Sequence, residues 1–150
     1  MAVDWYEPRI TLLVRQAAFA GIVSGTEAVL ALAIKKIQEP PKTGTVYKRR
    51  GVSHQASAPG ESPATDIGTL VQSGRTEYDI ENLRGYVVFS APYAAALEYG
   101  AISVAGNWKL EARPYARPAL AELQDQIRED LQRNIAVALN KAKSRGGKRK

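Results

Sequence analysis

Residues 8 to 38, PRITLLVRQAAFAGIVSGTEAVLALAIKKIQ, form the longest apolar stretch in the chain, and Glu39-Pro40-Pro41 closes it. Each proline disfavours helix at the residue before it, and Pro8 suits a first helical turn with Asp4 or Tyr6–Glu7 as cap. The spacing predicts a helix over 8–38. Ile10, Leu13, Val14, Ala17 and Ala18 make one stripe, and Leu12, Phe19, Val23, Leu30, Ile34 and Ile37 make another on a different side. A helix apolar all round is buried on more than one side. Glu27 is the sole charge from Gln16 to Ile34, which raises the question of a membrane span. A central acid costs about 2.5–3.5 kcal/mol on insertion, and Ser24, Gly25 and Thr26 dilute the run. The expectation is therefore no membrane, but a helix packed on its own sheet and, through Leu30, Ile34 and Ile37, on another subunit. Ser24-Gly25-Thr26-Glu27 also matches the Ser-x-x-Glu capping box, which predicts a kink or restart.

A chain of 150 residues suits one domain with a real core. The absence of cysteine excludes disulfides, thiol catalysis and cysteine zinc sites. The N-terminus lacks a basic segment followed by an apolar core, so no secretory signal is expected. The net charge of +6 is carried by the last ten residues, where Lys141, Lys143, Arg145, Lys148, Arg149 and Lys150 leave residues 1–140 formally neutral. The expected organisation is a single α+β domain over 1–140 and a basic tail over 141–150, of a kind commonly disordered.

From Lys42 to Ala64 no helical or alternating pattern is read, which implies a long extended loop over about 40–65. A loop of this length is functional or disordered. Its Lys48-Arg49-Arg50 triplet and the only histidine, His54, are candidate partner contacts. Asp66 is placed to cap a turn over Gly68–Ser73. Thr76, Tyr78 and Ile80 alternate with charges and predict a half-buried strand. A turn at Asn82–Gly85 and a second strand at Tyr86–Phe89 follow. Glu77, Asp79 and Glu81 share one strand face, read as solvated or lumen-facing acids, since no second ligand segment completes a metal shell. Pro92–Tyr99 predicts a short helix closed by Gly100 in the left-handed cap position, and Trp108–Glu111 a returning strand. Leu120, Leu123, Ile127, Leu131, Ile135 and Leu139 recur at helical spacing and give the last helix one apolar face. The predicted fold is two long helices, N-terminal and C-terminal, packed on a small antiparallel sheet.

Three patches in order carry a resemblance: Arg50-Gly51 with His54–Glu61 and Pro63–Leu70; Tyr93-Ala94 with Leu97–Gly100; and Ala112–Tyr115 with Pro118–Leu120. Together they resemble the neck or tail-completion (head–tail joining) proteins of lambda-like long-tailed bacteriophages, over roughly residues 50 to 120. Ile67 stands where that family usually has Thr, and Tyr99 and Tyr115 where Phe is commoner. Tyr93, Ala94 and Leu97 would face the sheet, and Glu98 would meet Arg113 only if the returning strand joins them. The resemblance implies a non-enzymatic virion subunit, a homo-oligomeric ring expected to be six-fold. Its partners would be head-completion or connector proteins and tail terminator or tail-tube proteins, with phage DNA passing through the lumen. It implies location in the virion, and in the host cytoplasm during assembly. No cofactor or metal is expected. The alternative is a nucleic-acid-binding protein using the basic loop and tail, which would want aromatic platforms or a recognition helix beside the charge; none is read there.

Overall fold

The structure, a computed structural model, describes residues 7–39 and 42–146. The expected cap at Asp4 or Tyr6 and the stop at Pro40-Pro41 lie outside the described residues. Helix α1 spans Glu7–Gln38 and helix α4 spans Ala116–Gly146. Between them run β1 (Val46–Arg49), β2 (Val52–Gln55), α2 (Thr69–Gln72), β3 (Gly74–Asp79), β4 (Arg84–Phe89), α3 (Ala94–Tyr99), β5 (Ala101–Ile102) and β6 (Lys109–Leu110). The fold is α+β. Its strands form three separate antiparallel pairs, β1–β2, β3–β4 and β5–β6. Helix α4 takes in Lys141 and Lys143, so the first part of the basic segment is helical rather than a loose tail.

Helix α1 packs along α4 through Gly21, Gly25, Val29, Ala33 and Ile37, which recur every fourth residue and are all buried. Residues four apart lie above one another on a helix, so the two glycines let the helices approach closely. A Cβ on Gly21 would stand 2.7 Å from Leu131 Cδ2, and one on Gly25 would stand 2.9 Å from Ile127 Cγ2. The expected break at Ser24–Glu27 does not occur. The helix is continuous there, and the Thr26 hydroxyl donates back to the Ile22 carbonyl at 2.7 Å, the usual solution for a mid-helix threonine. Gly25→Ile is expected to wedge the helices apart and cost about 2–3 kcal/mol, within the usual range for overpacking. Thermal melting would read this as a fall of several degrees, whereas an unchanged melt would mean the helices can slide to make room.

The core gathers Val29, Ala33, Ile37, Leu70, Ala91, Ala94, Tyr115 and Ala119, with Phe89, Leu97, Leu123 and Ile127 packed around it. Phe89 and Tyr115 meet edge to face at 4.9 Å, and burial pushes the Tyr115 phenol up to about 12. The β3–β4 hairpin lies on α1, with Gly74 against Leu30 and Gly85 against Ile22 and Thr26. Ile37, expected at a subunit interface, is 1% exposed and belongs to this chain's own core. Leu30 is half-buried against β3, and Ile34 is half-buried. The apolar face of α4 is buried only in part: Leu120 and Leu139 are exposed, and Ala119 takes the core position at the helix start. Tyr93 is exposed rather than turned to a sheet, while Ala94 is buried.

By length and composition α1 is apolar enough to cross a membrane, and only 22% of its most apolar window is buried within the chain. It therefore carries apolar surface that its own fold does not use.

Candidate functional site

The segment 42–68 is neither patternless nor a free arm. Its middle is the β1–β2 hairpin, with Val46 opposite Gln55, Tyr47 opposite His54, Lys48 opposite Ser53 and Arg49 opposite Val52. Arg50 and Gly51 form the two-residue turn at φ 50° and 79°. Positive φ at both positions matches the twist of a hairpin. The signal was muted because arginine stands where asparagine or aspartate usually marks such a turn, and because the strands have two polar faces. Every strand residue is exposed except His54, which is half-buried.

The flanks are tied to the body. The Glu61 carboxylate accepts from the Thr43 backbone N–H and hydroxyl and from the Ala58 N–H. Those bonds, the Thr43 hydroxyl first, hold its carboxyl down to about 2. Lys42 donates to the Lys36 carbonyl at 2.9 Å, and burial, opposed by Glu61 and Glu39, lowers its pKa. The Gly60 N–H donates to the Ala112 carbonyl, the Ser62 hydroxyl to Pro114, and Arg113 Nε to Ser57.

Asp66 does not cap α2, whose N-cap is Gly68 without a side-chain bond. Its carboxylate instead pairs with Arg49 and stands 3.5 Å from His54 Nδ1. The reason is reach: the inward face of the hairpin brings a guanidinium to Asp66. Tyr47 stacks on His54 at 5.7 Å, so an aromatic does lie beside the basic residues, contrary to the sequence reading. Lys48 and Arg50 have no ion-pair partner among the described residues. Of the four candidate contacts, Arg49 and His54 are therefore turned to Asp66, and Lys48 and Arg50 are presented outward.

Asp66→Asn is expected to loosen the hairpin without unfolding the protein. Exposed pairs contribute about 0–1 kcal/mol, so the melt should hardly move while protease cleavage around Lys48–Arg50 rises severalfold. Unchanged cleavage would show that the hairpin holds its place without this pair.

Among the described residues, Glu98 gathers more hydrogen bonds on its side chain than its neighbours do. It is buried, and its carboxylate accepts from the N–H groups of Tyr115, Ala116 and Arg117 and from Arg117 Nε, at 2.8–3.1 Å. Arg113, a partner only if the returning strand joined the two, does not bond to its carboxylate. Arg113 serves Ser57, and its N–H donates to the Leu97 carbonyl. A signal for this existed: α4 opens without Ser, Thr, Asp or Asn at its cap and with no acid in its first turn, so its orphan N–H groups had to be met from elsewhere. Desolvation, the largest single influence, raises the Glu98 pKa, but the bonds from Tyr115, Arg117 and Ala116 together outweigh it and the net shift is downward. Gly100 ends α3 at φ 80° and ψ 168°. This is positive-φ backbone but not the left-handed cap expected, because the chain leaves extended into β5.

Glu77, Asp79 and Glu81 do not act as one acidic face. Glu77 pairs with Arg75 at 2.7 Å. Asp79 accepts from the Asn82 N–H and side-chain amide and closes the turn, which lowers its pKa. Glu81 lies in that turn, beyond β3, because the turn starts at Ile80 rather than Asn82. Among the described residues no cluster of three or more His, Cys, Asp or Glu is arranged to hold a metal. Comparison with protein-family models, with curated proteins and with solved structures finds no match to this chain.

Proposed function

We propose that the chain is a structural subunit of a tailed-phage virion, a ring-forming neck or tail-completion protein between the head connector and the tail, with no catalytic role. What carries this reading is that the three patches behind the resemblance, far apart in sequence, meet in one hydrogen-bonded junction. The Ser57–Ser62 loop bonds to Ala112–Pro114, Arg113 bonds to Leu97, and Glu98 binds the start of α4. Shared motifs that build one junction are the pattern expected of a common scaffold. Apolar side chains left on the surface, among them Leu12, Ile80, Tyr86 and Val137, fit a subunit that finishes its burial in an assembly.

The test is the mass of the purified protein across a concentration series. Closed oligomers, with six copies expected, support the reading, and a monomer at every concentration counts against it. In reconstitution of heads with tails, replacing Val46–Gln55 by a short Gly-Ser link should leave the melt intact and block joining, since the hairpin contributes nothing to the core.

The hairpin also favours a second reading, nucleic-acid binding. Lys48 and Arg50 are presented outward without an ion-pair partner among the described residues, and Lys141 and Lys143 add charge on α4. That reading requires DNA binding that weakens linearly with the logarithm of salt concentration, and loss of part of that slope in Lys48→Ala/Arg50→Ala.

A further inference from the structure

The tip of the β1–β2 hairpin is purely cationic. From Thr43 to Gly60 the chain carries Lys48, Arg49 and Arg50 and no acid. The turn stands clear of the body: a Cβ built on Gly51 would find nothing within 4 Å, and no hairpin residue enters the core. Arg50 holds the first turn position at φ 50°, a left-handed conformation that asparagine, aspartate or glycine adopts at lower cost. Leu83, the other non-glycine with positive φ among the described residues, is half-buried, so packing compensates it. Arg50 is exposed and has no ion-pair partner among the described residues. A strained backbone kept for a side chain that gains nothing inside the fold points to a use outside it.

Arg49 differs from its two neighbours. Its guanidinium is engaged by Asp66, whose side chain is 20% exposed, while Arg49 itself remains 48% exposed. The same carboxylate faces His54 Nδ1 at 3.5 Å. One acid of this chain thus occupies the place an external anion would take. Half-exposed pairs of this kind are weak, and a phosphate diester offers the same guanidinium an equivalent charge-assisted fork.

We infer that Lys48 and Arg50 grip the phosphate backbone of duplex DNA and that Asp66 withholds Arg49 from it, an internal contact that competes with the nucleic acid. This rests on the nucleic-acid reading and goes beyond it by naming what limits binding. The shape fits, since the major groove admits a two-stranded β-ribbon. The charge spacing fits as well. A duplex carries one negative charge per about 1.7 Å of its axis, so neighbouring cations on one turn each meet a phosphate.

The test is binding of a short labelled duplex by the full chain, read by fluorescence anisotropy across a salt series. Asp66→Asn should steepen the fall of log K with log salt by about 0.9, one further phosphate neutralised, and tighten binding at low salt by about ten-fold. Arg49→Ala/Asp66→Asn, which keeps the parent's net charge, should return to the parent slope. Arg50→Asn should melt at or above the parent, because asparagine suits the turn, yet lose about 0.9 of the slope. If Asp66→Asn keeps the parent slope, or the double variant is as steep as Asp66→Asn, the masking of Arg49 is overturned and the nucleic-acid reading stands. A double variant shallower than the parent also overturns the masking, since Arg49 would already be touching phosphate. An Arg50→Asn chain that melts lower or keeps the parent slope overturns the role of Arg50. Absence of duplex binding in both the parent and Asp66→Asn overturns the inference and the nucleic-acid reading together.

Discussion

Glu98→Ala is expected to destabilise the protein by about 3–5 kcal/mol, because a buried donor left without its acceptor costs about 1–3 kcal/mol. Three consecutive backbone N–H groups at the start of α4 lose their acceptor at once. No residue at the helix start can replace it. Arg117 matters less, because its side chain is 57% exposed and an exposed guanidinium contributes little as an ion partner. The melt should fall by roughly 6–20 °C at 2–4 °C per kcal/mol for a domain of this size. Glu98→Gln keeps one acceptor oxygen and should fall between the two. The carboxylate also sets an acid response. Its folded pKa lies below the unfolded value, so the unfolded state binds the proton more readily. The Glu98 contribution is complete above the unfolded pKa and is lost as pH falls through the folded one. Stability measured by urea unfolding should therefore drop below about pH 4.3, and Glu98→Gln should show a shallower drop. An identical acid profile in that variant would remove Glu98 from the explanation.

Tyr115→Ala should be comparably severe, about 3–5 kcal/mol, the range for deleting a large buried aromatic. Tyr115 is 2% exposed, stands edge to face with Phe89 and borders Ala94 and Ala119. Small neighbours cannot expand to fill the cavity. Tyr115→Phe should cost less than about 1 kcal/mol, because the hydroxyl reaches the Ala94 carbonyl only at 3.4 Å, at the weak end of hydrogen bonding. The pair separates ring packing from the polar tip. A large loss in the phenylalanine variant would mean the phenol carries more than that geometry implies.

The two long helices were legible because their information is local. Apolar spacing from Ile10 to Ile37 and from Leu123 to Ile135 repeats over several turns. The β3–β4 hairpin was legible from Thr76 and Tyr78 alternating with charges. The β1–β2 hairpin was not, since a ribbon exposed on both faces has no apolar alternation to read. Long-range partners were also beyond the sequence. Asp66 had a plausible local role as a cap, and only folding brings Arg49 and His54 to it. Glu98 had Arg113 as a nearby candidate, and the path of the chain supplied Tyr115, Ala116 and Arg117 instead.

Sequence alone determined what periodicity and turn chemistry encode: an α+β chain bounded by two long helices, with no thiol chemistry. Tertiary structure decided which apolar residues were spent inside. Gly21 and Gly25 let α4 close on α1 and draw Ile37 into the core, while Val104, equally apolar, is left in solvent by a turn braced through Ser103. Burial depends on what lies opposite a side chain, and that is fixed only when distant segments meet.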